Sequence, residues 1–218
     1  MATNSLEKST CPLCKAKAEW FFTSQRAIPY FRCTLCRGIF VPSSWWLDPA
    51  DEKAHYLTHN NDVFDPRYRA FVAPVVEAIL SEQTSCSLGL DYGAGPGPVI
   101  SRMLAESNYQ THLFDPFFHP DPSPLSERYE YIICTEVIEH FRYPLEEFAR
   151  LANLLKTRGT LYCMTELCHD GIDFAKWRFK NDPTHVFYYG IVTMQWIANQ
   201  FGFFPAEIDG RRIILRKR

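Results

Sequence analysis

Four cysteines near the start of the chain have the spacing of a metal site. Cys11 and Cys14 form one C-x2-C pair, and Cys33 and Cys36 form a second pair after an 18-residue spacer. Two such pairs supply the four thiolates of a tetrahedral zinc site and leave no coordination position open for catalysis. The spacing therefore predicts one structural zinc. The alternative is a redox pair of the C-x-x-C type, which needs only two cysteines.

A glycine-rich segment, LDYGAGPGP at residues 90–98, has the pattern of a ligand-binding turn between a strand and a helix. Pro98 stands where a dinucleotide fingerprint has glycine or alanine, and Pro96 removes a backbone N–H that a pyrophosphate would need. Asp115 comes 24 residues after Asp91, near where an acid binds a ribose. The alternative for Asp115 is a loop-capping role. The segment favours an adenosine ligand without phosphates, such as S-adenosylmethionine, with Asp91 as a carboxylate for its ammonium and sulfonium groups.

Two histidines are candidates for removing a proton from an acceptor of the methyl group. His140 follows the segment EVIE, and His185 comes three residues after Asp182 in NDPTH. Histidine is the usual general base at neutral pH, and a carboxylate such as Asp182 can orient its ring. The alternative for each histidine is a hydrogen bond to the backbone. His55 and His59 are four residues apart without a closely matched acid, and we expect their segment to cover the mouth of the cofactor site.

Alternating strands and helices are predicted to position these side chains. A helix is expected from Pro66, and further helices are expected over 98–106, 144–156 and 191–200. The apolar runs predict strands over 87–92, 109–114, 129–135, 159–165, 203–208 and 211–216. A type I′ turn at Asp209-Gly210 makes the last strand antiparallel to its neighbour. The expected fold class is α/β, a Rossmann-like mostly parallel sheet with an antiparallel C-terminal edge hairpin, plus a small N-terminal zinc ribbon.

Residues 87–217 resemble the class I S-adenosylmethionine-dependent methyltransferases. The matching segments are LDYGAGPG, LFDP and YEYIICTEVIEHF, in the order that the family has them. Residues 11–40 are similar to the zinc ribbons that precede some of these domains, and DPTHVFYY resembles a late motif of bacterial methyltransferases with such a ribbon. The resemblance implies that the cofactor is bound by residues of these three segments: Asp91, Gly93, Ala94, Gly95, Gly97, Asp115, Pro116, Thr135 and Glu136.

One segment departs from the family pattern. Only 13 residues, four of them proline, separate Asp115 from Tyr129, where the family usually has a helix and a third strand. Proline at this density prevents both elements, so the sheet is expected to lack one strand at that edge. The adenine-contacting residue therefore has no candidate.

The chain divides by pattern into a zinc ribbon at 1–42, a connector with lid helices at 43–84 and the methyltransferase domain at 85–218. It has 23 Lys and Arg against 25 Asp and Glu, so its formal net charge is −2. Its 46% hydrophobic content excludes collagen-like and disordered classes. The absence of an export pattern or a long apolar run predicts a cytoplasmic protein without a membrane partner.

Three functions are compatible with the sequence. The first is methylation of a small-molecule acceptor such as a sugar, lipid or natural-product intermediate, which the slightly acidic charge and the aromatic residues near His185 favour. The second is RNA methylation, with the basic residues of the ribbon gripping phosphates: Lys15, Lys17, Arg26, Arg32 and Arg37. The third is a non-catalytic scaffold that keeps the fold.

Overall fold

The computed structural model describes residues 9–59 and 62–218 and contains two sheets. The strands of the larger sheet are β5 Leu88–Tyr92, β6 Gln110–Phe114, β7 Tyr129–Thr135, β8 Leu155–Met164, β10 Glu207–Asp209 and β11 Arg212–Arg216. They lie in the order β10-β11-β8-β7-β5-β6. Strands β6, β5, β7 and β8 are parallel to one another, and β11 is antiparallel to both β8 and β10. This confirms the predicted α/β fold class.

Helices cover both faces of this sheet. They are α2 Pro66–Glu82, α3 Val99–Glu106, α4 Pro144–Leu154 and α5 Ile191–Gln200. Tyr131 and Ile133 of β7 pack in the core on the α2 and α3 side, whereas Ile132 packs in the core on the α4 and α5 side. This alternation follows from the two-residue period of a strand. Because β5 pairs in parallel with both β6 and β7, the carboxyl ends of these three strands lie at the same edge of the sheet.

On the side of β5, strand β6 forms the edge of the larger sheet. The proline-rich segment after Asp115 predicts this shortened edge. Asp115 begins the turn that leaves β6, and a short 3-10 helix, Ser123–Ser126, leads towards β7. Within the described residues the larger sheet has six strands. The carboxyl end of β6 therefore lies next to a compact turn where a further strand would otherwise stand.

The smaller sheet joins the cysteine-rich region to the second half of the chain. Its strands, in the order in which they pair, are β1 Ser9–Thr10, β2 Lys17–Thr23, β3 Pro29–Cys33, β4 Ile39–Phe40 and β9 Phe187–Tyr188. Ile39 of β4 pairs with Tyr188 of β9, and Phe40 pairs with Phe187. A Cβ atom at Gly38 would lie 2.3 Å from Cζ of Phe187, so this junction requires glycine. The ribbon is thus attached directly to the segment that follows His185.

Two details of the predicted C-terminal hairpin are wrong. The strand β10 begins at Glu207 rather than at residue 203, since Pro205 has no N–H for a ladder. The turn consists of Gly210 and Arg211, because Asp209 pairs with Arg212. Gly210 has a φ of 58°, but Arg211 is not among the residues with positive φ, which excludes the type I′ turn. The shift places Arg211 at the tip of the hairpin.

The connector before α2 forms a short helix, α1 Pro49–Tyr56, which begins at the N-cap Asp48. The Asp48 carboxylate accepts hydrogen bonds from the amides of Ala50 and Asp51, as a capping aspartate does. Over residues 9–59 and 62–218, no helix combines the length and the apolar character that a membrane crossing requires.

Candidate active site

Asp115 connects two loops at the carboxyl edge of the sheet. One carboxylate oxygen accepts a hydrogen bond from the amide of Gly95 at 3.0 Å. The other accepts from the amides of Phe117 at 2.8 Å and Phe118 at 3.0 Å. A carboxylate offers about four lone-pair positions, so one position remains for a ligand hydroxyl. The geometry is compatible with the predicted ribose contact.

The glycine-rich loop has backbone conformations that only glycine adopts readily. Gly93 has a φ of 84°, and a Cβ atom there would lie 2.5 Å from Cγ2 of Val137. Gly95 has a φ of 63°, and a Cβ atom there would have no neighbour within 4 Å. Gly93 therefore permits the loop to pass close to Val137, and Gly95 borders open space into which a ligand fits.

Asp91 does not line this space. Its carboxylate is buried below the loop and accepts a hydrogen bond from Oγ of Ser101 in α3 at 2.7 Å. Burial raises the pKa of Asp91 to about 6. The structure thus places Asp91 where it supports the loop and α3, and its predicted contact with the ligand remains a prediction.

The end of β7 supplies Thr135 and Glu136. Oγ1 of Thr135 is buried and has no hydrogen-bond partner among the described residues. Glu136 has a positive φ of 52°, and both of its carboxylate oxygens accept from Nη2 of Arg211, at 2.9 and 2.7 Å. Burial raises the pKa of Glu136, and Arg211 opposes this shift. Arg211, at the tip of the C-terminal hairpin, was not identified from the sequence.

A cavity of about 820 Å³ joins these residues to both candidate histidines. The glycine loop and the residues at the ends of β6 and β7 line one side of it. Aromatic and histidine side chains also line it. Helix α1 contributes Glu52 and Tyr56, and His59 follows the end of this helix. The predicted site residues that line the cavity are Gly93, Ala94, Gly95, Gly97, Asp115, Pro116, Thr135, Glu136, His140, Asp182 and His185.

These residues fit an adenosine cofactor in three respects. Gly95 borders open space, Asp115 keeps an acceptor position, and the buried hydroxyl of Thr135 lacks a partner. An unpaired buried hydroxyl is unfavourable unless a ligand or water satisfies it. The donor and acceptor set therefore suits S-adenosylmethionine.

Both candidate histidines are held by backbone carbonyl groups. Nδ1 of His140 lies 3.1 Å from the carbonyl oxygen of Thr184, and Nδ1 of His185 lies 2.7 Å from that of Phe179. A carbonyl oxygen only accepts, so each Nδ1 carries the proton and each Nε2 keeps a lone pair. Burial, with the neighbouring His185, lowers the pKa of His140 to about 3, and burial lowers the pKa of His185.

Among the described residues the Asp182 carboxylate makes no hydrogen bond to the His185 ring, and its orienting role remains a prediction. One oxygen of the Asp182 carboxylate accepts from the amide and the hydroxyl of Thr184, and the other lies 3.2 Å from Nε2 of His55. The ring of His185 donates its hydrogen bond to the Phe179 carbonyl instead. Asp182 is drawn to Thr184 because an aspartate side chain readily bonds the amide two residues ahead.

Glu139 is a site residue that the sequence analysis missed. Its side chain is fully buried, at 0% exposure, and borders the cavity next to His140. Neither carboxylate oxygen has a hydrogen-bond partner among the described residues. Burial raises the pKa of Glu139 well above its usual range. In the sequence, the Glu139-His140 pair shortly after a buried strand is the feature that could have indicated this residue, because ligands bind at the carboxyl edge of such a sheet.

The four cysteines of the ribbon meet as predicted. Sγ of Cys11 lies 3.6 Å from Sγ of Cys36, and Sγ of Cys14 lies 3.2 Å from Sγ of Cys33. All four sulfur atoms lie within 4.8 Å of one another. The edges of a zinc–thiolate tetrahedron are about 3.8 Å, given a Zn–S distance of about 2.3 Å. The donor set fits a structural zinc ion.

The parallel sheet, its antiparallel hairpin and the glycine loop together define the class I S-adenosylmethionine-dependent methyltransferase fold. The family described as "methyltransferase domain" matches residues 64–207, and the chain belongs to this family. No curated protein sequence matches the chain significantly.

Solved methyltransferase structures share the fold at low sequence identity. One is 1,6-didemethyltoxoflavin-N1-methyltransferase from Burkholderia thailandensis, solved with 1,6-didemethyltoxoflavin and S-adenosylhomocysteine. It is 13% identical with a TM-score of 0.55, over 97% of this chain and 99% of that chain. Magnesium protoporphyrin IX methyltransferase from Synechocystis PCC 6803, solved with S-adenosylhomocysteine, is 14% identical with a TM-score of 0.53, over 80% and 97%.

A third structure shows a difference in length. An O-methyltransferase family protein from Burkholderia thailandensis is 14% identical with a TM-score of 0.52, over 68% of this chain. The match spans only 56% of that protein, less than two thirds of its length. At these identities the likeness shows the fold.

Proposed function

We propose that the protein transfers the methyl group of S-adenosylmethionine to an oxygen or nitrogen atom of a small-molecule acceptor, such as a sugar, lipid or natural-product intermediate. The supporting observation is one cavity of about 820 Å³ that is lined by the glycine loop as well as by His140 and His185. This volume lies within the usual range of about 300–1,000 Å³ for small-molecule sites. When bound, the cofactor supplies an electrophilic methyl group on a sulfonium.

Each side of the cavity has its own part in this proposal. The glycine loop admits the cofactor, Asp115 accepts a ribose hydroxyl, and Thr135 donates or accepts through its free hydroxyl. On the other side, Tyr56 and Phe179 provide apolar surface that excludes water and aligns the acceptor for in-line transfer. The acceptor's proton leaves towards the histidine side of the cavity.

Two cations of the ribbon already have partners. Lys17 forms an ion pair with Glu19 at 2.6 Å, and the guanidinium of Arg32 lies 3.6 Å from the centre of the Phe21 ring, in a cation–π contact. Arg26 and Arg37 are exposed, so RNA is tested beside the small molecule in the experiment that follows.

A transfer experiment with a labelled methyl group tests the proposal. Purified protein would be incubated with S-adenosylmethionine carrying a deuterated methyl group, together with a metabolite extract and, separately, total RNA from the source organism. We expect label in a small molecule by mass spectrometry, and less label with Asp115→Ala when the cofactor concentration is below saturation. Label in RNA alone would establish the RNA function instead. Binding of the cofactor without transfer to either pool would support the scaffold.

A further inference from the structure

A second cluster of potential metal ligands lies in the cavity, apart from the cysteines. Glu139, His140 and His185 each offer one ligand atom, and these atoms lie within 4.8 Å of one another. Glu139 and His140 belong to the 3-10 turn Ile138–His140 that follows β7, and His185 precedes β9. The amide of Val186 donates to the carbonyl oxygen of Glu139 at 2.9 Å, so the backbone itself holds the two segments together.

The buried carboxylate of Glu139 requires an explanation. It is 0% exposed, and neither oxygen has a hydrogen-bond partner among residues 9–59 and 62–218. An ionised carboxylate taken out of water without partners is strongly unfavourable, so such a group is normally protonated, paired or bound to a metal. Because Glu139 borders the cavity beside His140 and His185, a cation between the three side chains would satisfy it.

The two histidines have the protonation pattern of metal ligands. Each donates its Nδ1–H to a backbone carbonyl, of Thr184 for His140 and of Phe179 for His185. This hydrogen bond fixes the ring and leaves Nε2 as the ligand atom, as the outer hydrogen bonds of metal-bound histidines do. Their ring centres are 4.8 Å apart, so both rings can contact one ion.

We propose that Glu139, His140 and His185 bind one divalent transition-metal ion, which holds the acceptor of the methyl group. Two imidazoles and one carboxylate form a set of ligands that suits zinc, iron(II), cobalt(II) or manganese(II) and leaves coordination positions open towards the cavity. The role of the ion in the reaction rests on the proposed methyl transfer. The binding of the ion does not.

The chemistry of an acceptor hydroxyl is then defined. The ion lowers the pKa of the hydroxyl, which loses its proton to water. The oxygen lone pair forms the new bond to the methyl carbon, and the carbon–sulfur bond breaks with its electron pair going to sulfur. His185 acts here as a ligand, so this proposal replaces the predicted role of His185 as general base.

A neighbouring group of similar composition is different in its hydrogen bonding. His55, His59 and Asp182 also offer ligand atoms within 4.8 Å of one another. The Asp182 carboxylate, however, already accepts from Thr184 and contacts His55, and His59 is exposed. We therefore assign no ion to this group. At His185 the negative charge of the Asp182 carboxylate and the positive charge of Arg211 oppose each other.

Metal analysis of matched variants tests the site. Wild-type protein, saturated with zinc and freed of excess by gel filtration, should contain about two ions per chain, one of them in the ribbon. Glu139→Gln keeps the size of the side chain but loses the carboxylate, so it should contain about one ion. The control His169→Ala removes an exposed histidine elsewhere and should retain about two ions.

Cobalt(II) distinguishes the two sites by spectrum. The cysteine site should give intense sulfur-to-cobalt absorption, and the proposed site only weak bands in the visible region, which Glu139→Gln and His185→Ala should remove. One ion in the wild type, with the same ion count and the same spectrum in Glu139→Gln, would overturn the metal site. Binding of S-adenosylhomocysteine, measured on the same samples, separately decides whether the proposed methyl transfer fails.

Discussion

At the residue scale, Asp115 links the two loops that face the adenosine side of the cavity. It accepts three backbone N–H groups, from Gly95, Phe117 and Phe118, while the segment after it lacks the usual helix and strand. Because these hydrogen bonds are made to a charged acceptor, each contributes more than a neutral one. The Asp115 carboxylate thus accepts hydrogen bonds from backbone amides of the two loops, at an edge where no further strand pairs with β6 in the described residues.

Substitution of Asp115 should affect both stability and binding. We expect Asp115→Ala to lower the free energy of unfolding by about 1–3 kcal/mol, because buried amides lose their acceptor. The affinity for S-adenosylhomocysteine should fall by roughly tenfold or more, since a charged hydrogen bond to the ribose contributes about 1.5–3 kcal/mol. Thermal shift with and without the ligand measures both effects.

The control for this variant is Asp121→Ala in the same proline-rich segment. The Asp121 carboxylate accepts from the amide and hydroxyl of Ser123 and does not line the cavity. It should leave the affinity unchanged. Equal affinities for Asp115→Ala and the wild type would remove the ribose assignment.

The buried carboxyl group of Asp91 should make the free energy of unfolding depend on pH. Burial raises its folded-state pKa to about 6, above the usual value of about 3.9. The folded protein thus retains a proton that the unfolded chain releases, so stability falls as pH rises from about 4 to about 6. Asp91→Asn should remove this cost. Its advantage over the wild type should grow across that interval and level off above it, reaching at most about 3 kcal/mol.

Urea unfolding of both proteins at several pH values checks this expectation. The exposed Asp209→Asn serves as the control and should show no such interval. A constant difference between Asp91→Asn and the wild type from pH 4 to 8 would contradict the raised pKa. If Asp91→Asn is more stable but binds no cofactor, the predicted contact of Asp91 with the ligand gains support.

The identity of single residues was predictable where local spacing defines a role. The cysteine pairs and the glycine loop are local patterns. In the structure the four cysteines meet in one cluster, and the glycine loop lines the cavity. The hydrogen-bond partners of Asp182 and His185 were not predictable from the sequence. They depend on the path of the long loop that follows β8, which ends at Met164, and this loop has little regular structure. The same holds for Glu139, whose importance arises only from the absence of partners in three dimensions.

Among the secondary-structure elements, the pairing of β4 with β9 connects the cysteine ribbon to the segment of His185, which lines the cavity. The amide of Val41 donates to the carbonyl of Val186 at 3.1 Å, and the amide of Val186 donates to the carbonyl of Glu139 at 2.9 Å. A continuous backbone path therefore runs from the ribbon through the His185 segment to the end of β7. We infer that the ribbon positions His185.

Gly38→Ala should loosen this connection. A Cβ atom there would lie 2.3 Å from Cζ of the buried Phe187, whose ring stacks on Phe40. We expect a loss of about 1–3 kcal/mol, typical of overpacking, and faster hydrogen exchange at the amides of Val41 and Val186. The affinity for S-adenosylhomocysteine should remain unchanged, since the glycine loop lies on the other side of the cavity.

The matched control for this variant is Gly171→Ala in an exposed loop, where the nearest atom to a Cβ is 3.1 Å away on His169. It should exchange like the wild type. Unchanged protection of Val41 and Val186 in Gly38→Ala would show that the ribbon does not hold the segment.

The long strands and helices could be predicted from the sequence because each has its own periodicity. The strand Tyr129–Thr135 and the helix Ile191–Gln200 have the predicted limits. The two-residue strands Ile39–Phe40 and Phe187–Tyr188 were missed, since so short a segment has no detectable period and its partner is remote in sequence. Fold class depends on the long elements, whereas the attachment of the ribbon depends on the short ones.

At the scale of the whole molecule, charge and cavity shape point to the same type of acceptor. The formal net charge is −2, and cations of the ribbon such as Lys15 and Lys17 lie near carboxylates of the chain. The cavity is lined by aromatic and apolar side chains together with carboxylates, arginines and histidines. Its volume of about 820 Å³ lies within the usual range of small-molecule sites.

A small-molecule acceptor and an RNA acceptor should differ in how their affinity depends on salt concentration. An acceptor without several phosphates should keep its KM within about twofold between about 50 and about 200 mM salt, whereas an RNA held by about 6–10 phosphate contacts would lose roughly 10³–10⁵ in affinity. Initial rates with the acceptor identified by the labelled methyl group provide the measurement. A steep linear fall of log affinity with log salt would favour RNA.

The proposed methyl transfer requires S-adenosylmethionine to bind at the glycine loop between β5 and α3. Calorimetric titration of the zinc-loaded protein with S-adenosylhomocysteine measures this binding, because the product shares the adenosine and amino-acid groups of the cofactor. We expect saturable binding of about one equivalent per chain, together with a rise in the melting temperature. No heat and no thermal shift at millimolar ligand, from a folded protein that retains its ribbon zinc, would contradict it.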